Sequence, residues 1–209
     1  MSREFHKPTR FEGHRFEAFL GGDDPARLYA VAHETARTLV DRGREPGSAE
    51  LVERMIAYTD EHGVDALAEL WATAAAESLP GALWRLYLLR ALVRQDPAAA
   101  ANAFRRGVEA LPTADPAIAG APSPTGPDEV AALADRILRG AFSGDLADAL
   151  HRAAATGRIL AAGARAEADA SDAAAPERAS AFTTRAARLS TIGAELEAAA
   201  RLERAGRLD

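Results

Sequence analysis

Residues 80–95, PGALWRLYLLRALVRQ, place apolar side chains on almost every face of the helix they predict. A surface helix shows a single apolar stripe, so one that is apolar around its circumference must be enclosed by other elements. The rest of the chain is suited to supply helices for that purpose. Ala occurs 52 times and Leu 22 times against 12 Val plus Ile, a balance of unbranched helix formers over the β-branched residues that favour strands. The chain of 209 residues is long enough to bury a full core. The expected fold is all-α, with about eight helices around the central apolar helix 80–95.

Caps and breakers delimit the other helices. Asp24-Pro25 predicts a start, continued at helical spacing by Leu28, Val31, Ala32, Thr35, Ala36 and Leu39 and closed by Gly43. Ser48 opens a second helix through Leu51, Val52, Met55 and Ile56 to Gly63. A third is expected from Asp65 to Glu77, with Leu67, Leu70, Trp71 and Ala74 on one side. Pro80 opens the central helix, and Asp96-Pro97 both ends it and caps the next, which reaches Glu109 with Phe104 and Val108 turned inward. Residues 112–127, PTADPAIAGAPSPTGP, hold five of the eleven prolines and are read as non-helical. This segment is expected to form a strap over the surface, in preference to a ligand for a proline-reading domain. Thr125 or Asp128 then caps a short helix that ends at Gly140.

A longer helix starts at Ser143-Gly144-Asp145 and carries Leu146, Leu150, Ala153, Gly157, Leu160 and Ala164 in steps of three and four. The last helix, from Pro176, repeats the rhythm with Phe182, Ala186, Leu189, Gly193, Leu196 and Ala200. Small residues between large ones let two axes approach closely, which predicts a C-terminal antiparallel hairpin. A turn centred near Ala175 sets Gly157 opposite Gly193. The chain thus divides into an N-terminal arm (1–22), a helical core (23–111), the connecting strap (112–127) and C-terminal helices (128–209) packed on the core as one unit.

Several function classes are disfavoured at once. There is no Cys, which removes disulfides, thiolate catalysis and zinc-thiolate sites. The formal net charge is −6, and an acid excess argues against a general nucleic-acid binder, which needs clustered cations. Lys7 is the sole lysine. No signal-peptide core and no run of about 18 apolar residues is seen, so a cytoplasmic protein without a membrane span is expected. Helical di-iron sites need Glu-x-x-His pairs. The residues three before His33, His62 and His151 are Ala30, Thr59 and Asp148, and these histidines read as polar groups near helix ends. With no nucleophile elbow, P-loop or dinucleotide fingerprint, no catalytic residue, metal or cofactor is expected.

Two sets of residues stand out as candidate binding groups. Arg90 and Arg94 fall near each other on the central helix and roughly opposite Arg85, so at least one guanidinium is forced inward and needs a carboxylate. Residues 48–79 hold one Arg and seven acids, while 80–111 hold five Arg and two acids. Arg85 is therefore expected to pair with Asp60, Glu61, Glu69 or Glu77. The alternative is an anion pocket built from Arg85, Trp84, Tyr87 and Trp71. The other set is Phe5, Phe11, Phe16 and Phe19, four of the seven Phe, in an arm too short for its own core. Those rings need cover from the body or from another chain.

RFEAFLGG, DALAELW, SLPGALWRLYLLRALVRQDP and GAPSPTGPDEVAALADRILRGAFSGDLADALHRAAA together resemble an uncharacterised actinobacterial all-helical family of about this length. Its members often carry the name DNA-directed RNA polymerase subunit beta. The resemblance covers most of the chain. This sequence lacks the length and the sheet-rich, lysine-bearing catalytic regions of a polymerase beta subunit, so the resemblance implies an association with transcription and no polymerase catalysis. The expected function is a non-catalytic interaction or regulatory module, acting through a protein partner or self-association at the Phe arm, the strap or the exposed side of the last helix. The alternative is a small-molecule binder or degenerate enzyme with a pocket near Arg85.

Overall fold

Eight α-helices and no strand are found among the described residues, which are 25–62, 68, 70–111, 113–121 and 125–209 of a computed structural model. The helices are α1 (Pro25–Gly43), α2 (Ala49–His62), α3 (Leu79–Gln95), α4 (Pro97–Ala110), α5 (Asp115–Ala119), α6 (Pro127–Ser143), α7 (Leu146–Ser171) and α8 (Pro176–Arg204). Capping chemistry fixes most of these boundaries. Asp96 accepts from the Ala99 amide at 2.9 Å and Asp145 from the Asp148 amide at 3.1 Å, satisfying donors that the first turns leave open. Ser78, two residues before the expected Pro80 start, caps α3 through the Gly81 amide.

The central helix is enclosed as its pattern requires. Leu83 is fully buried, and Leu86, Leu89 and Val93 are no more than 3% exposed. Trp71, Tyr87 and Phe142 form a chain of tilted rings through the core, with centroids 6.2 and 6.4 Å apart. A second helix is as deeply enclosed as α3. In α7, 17 of 26 residues are buried, because α4 packs on one side of it and α8 on the other.

Both α7 interfaces depend on glycine. A Cβ added at Gly157 would lie 3.2 Å from the Gly193 Cα, so the two glycines oppose each other as the antiparallel register demands. On the other side, a Cβ at Gly163 would lie 1.7 Å from the Ala103 carbonyl oxygen, and one at Gly107 would lie 1.9 Å from that of Ile159. Backbone meets backbone there, and no side chain fits between.

Several sequence expectations are corrected. The proposed helix to Glu77 stops short, since residues 72–78 turn and bend to bring the Ala75 carbonyl against Gly81. Val108 points outward, 37% exposed, because Gly107 takes the contact with α7. Leu28 and Val31 are also exposed. The helix expected to end at Gly140 continues to Ser143, and its start is closed by Glu129 accepting from the Gly126 amide at 3.0 Å. The strap contains a helix after all. Pro116 sits in the first turn of α5, where its missing N–H costs nothing, and Gly120 ends the turn at φ 69°.

Candidate functional site

The predicted cluster around Arg85 is a structural joint. Arg85 Nε donates to Glu195 Oε2 at 2.5 Å, and its Nη1 donates to the Gly81 carbonyl at 2.9 Å. Its partner therefore comes from α8 and not from the acid-rich 48–79 stretch. Trp71 and Tyr87 are buried core residues, and Trp84 is 9% exposed, so these rings fill the interior. Burial pushes the Tyr87 phenol well above its usual range. The guanidinium forced inward is Arg90, 5% exposed, whose Nε donates to Asp135 Oδ1 at 2.7 Å while Arg94 Nη1 reaches Asp135 Oδ2 at 3.1 Å. One acid from the 48–79 stretch, Glu53, meets Arg139 of α6 at 2.5 Å.

A second polar cluster, which sequence reasoning missed, ties the strap to the hairpin. Arg158 Nη2 donates to Asp115 Oδ1 at 2.6 Å, and Arg158 Nη1 donates to Glu197 Oε2 at 3.3 Å. His151 Nδ1 lies 3.0 Å from the same Glu197 oxygen. Arg152 donates to the Ala119 carbonyl, which anchors the end of α5. The hydrogen bond from Arg158 holds the Asp115 carboxyl below its ordinary range against the opposing effect of burial. Burial raises Glu197, but the hydrogen bonds and charges of His151 and Arg158 outweigh it and leave that carboxyl lowered as well. The signal was the hairpin register: if Gly157 faces Gly193, Glu197 lies across from Ala153, between His151 and Arg158. The cluster holds no nucleophile and reads as a clasp.

His33 departs from the helix-end reading. Its ring lies 4.1 Å from that of Tyr29, and its Nε2 is buried without a hydrogen-bond partner. Among the described residues no three His, Cys, Asp or Glu side chains converge as a metal site, and no helix is long and apolar enough to cross a membrane. Phe5, Phe11, Phe16 and Phe19 lie outside the described residues.

The open surface of interest lies between α8 and the C-terminal half of α3. Leu88, Leu92, Ala187, Arg188, Thr191 and Ile192 line a groove of about 490 Å³. A second hollow of about 640 Å³ shares Leu92 and Arg188 and adds Gln95, Ala181, Thr184 and Arg185. Leu88 and Leu92 were expected to be enclosed with the rest of α3; they are half-buried and form the groove floor. Comparison with protein families, curated proteins and solved structures found no match.

Proposed function

We propose that the protein is a non-catalytic helical interaction protein that receives a helix of a protein partner in the α3–α8 groove. The observation that carries this reading is the groove itself: an apolar floor of Leu88, Leu92 and Ile192, open to solvent along two long helices. Amphipathic helices dock in grooves of this kind through anchors spaced by three or four residues. The charged clusters at Arg85–Glu195 and Arg158–Asp115 are engaged in holding the fold. The anion-binding alternative loses its cation to Glu195. The association with transcription belongs to this proposal through the family resemblance alone.

Photocrosslinking in the source cell tests the reading, with p-benzoylphenylalanine placed at Thr191 and, as a control, at exposed Ala173. Discrete protein adducts from position 191 that disappear on Ile192→Asp are the expected result. Equal adducts from both positions, or none from position 191, would overturn it.

A further inference from the structure

We infer that the partner helix is acidic: its apolar anchors sit on Leu88, Leu92 and Ile192 while its flanking carboxylates meet Arg185 and Arg188. This deepens the docking reading and rests on it. Arg185 and Arg188 are three residues apart on α8, on one turn of the helix; Arg188 lines the groove itself and Arg185 the hollow that adjoins it. Neither makes an ion pair or hydrogen bond among the described residues. Asp96, the acid at this rim, is occupied as the cap of α4. The groove thus presents hydrocarbon edged by two guanidiniums and, in the adjoining hollow, by the capping carboxylate of Asp96.

Charge also decides between possible occupants. A second copy docked by a two-fold axis would set the same surface against itself, bringing Arg185 and Arg188 of each chain together. The Phe-rich arm of the chain is a poor match too. Residues 1–20 hold Arg3, Lys7, Arg10 and Arg15 against Glu4, Glu12 and Glu17, four cations to three acids. A separate protein with Leu, Ile or Phe at i, i+4 and i+7 and Glu or Asp beside them fits both parts of the surface.

The test uses the full chain and two labelled helical peptides of about 16 residues, each with Leu at i, i+4 and i+7, one flanked by Glu and the other by Lys. Binding is read by fluorescence anisotropy at low and high salt. The Glu peptide is expected to bind about tenfold or more tightly than the Lys peptide, with the gap narrowing as salt rises. The double change Arg185→Glu, Arg188→Glu, at one half-buried and one exposed position, should reverse the preference while leaving the circular dichroism spectrum unchanged. Equal binding of both peptides, abolished by Ile192→Asp, would overturn the acidic partner and leave the docking reading standing. Binding of neither peptide would overturn both. Binding of the Glu peptide that survives both the charge reversal and Ile192→Asp would place it elsewhere and refute the inference.

Discussion

Replacing Gly163 by Ala should force α4 and α7 apart. The new Cβ would lie 1.7 Å from the Ala103 carbonyl oxygen, where ordinary contact is 3.4–4 Å, so the two backbones must separate by most of the difference. Overpacking of a core costs about 1–3 kcal/mol, and the upper end applies here because the obstacle is main chain and cannot change rotamer. Against this, Ala gains about 1 kcal/mol over Gly in a helix interior. The net loss is about 2 kcal/mol, which for a chain of this size lowers Tm by about 4–8 °C. Gly140→Ala supplies the opposite sign. Its Cβ would meet nothing nearer than the Ala149 Cβ at 3.8 Å, so the helix-propensity gain stands alone and raises Tm by about 2–4 °C. Gly193→Ala should fall between, since its closest contact is 3.3 Å. Thermal and urea unfolding followed by far-ultraviolet circular dichroism read all three. If Gly163→Ala melts at or above the parent temperature, the close α4–α7 approach is wrong.

Other substitutions probe the charged joints. Asp135→Ala removes an acceptor shared by Arg90 and Arg94 and should cost about 2–3 kcal/mol in urea unfolding, whereas Arg94→Ala, at a 40% exposed side chain, should stay within about 0.5 kcal/mol; equal losses would contradict the burial argument. Asp115 and Glu197 both have carboxyl groups lowered in the folded state, so they stabilise the fold fully above the ordinary carboxylate range and lose that contribution as the pH falls through their folded values. Asp115→Asn should therefore flatten the fall in stability on acidification, and an unchanged slope would show that the clasp contributes nothing. Hydrogen exchange of the α5 amides should quicken in the same variant, because the strap loses its hold on Arg158.

Sequence reading reached the parts of this fold that local chemistry dictates. Asp96, Asp145, Pro25 and Pro176 mark helix starts because an unsatisfied first turn has few solutions, and Gly157 and Gly193 fix the hairpin because small residues mark close approach. What remained hidden was settled by tertiary placement. Gly107 and Gly163 were visible as residues, but nothing local assigns a glycine to one neighbour rather than another. Charge balance by segment pointed Arg85 towards residues 48–79, whereas the helix that lies beside it is α8, over a hundred residues away. The five prolines masked α5, since proline in a first turn obeys a different rule from proline in mid-helix. The groove was obscured by α3 itself: its nearly continuous apolar surface announced burial, and only the packed structure shows which two leucines are left at the edge.

The clasp across the hairpin and the body beneath it differ in their sensitivity to dissolved electrolyte. Concentrated chloride shields the attraction among Arg158, Asp115 and Glu197, while the seams of α7 are mainly hydrocarbon, with buried Glu167 held by Asn102. A rising ionic strength would thus loosen the clasp first, leaving the proline segment held to an otherwise intact helical stack through Ala119 and Ile118.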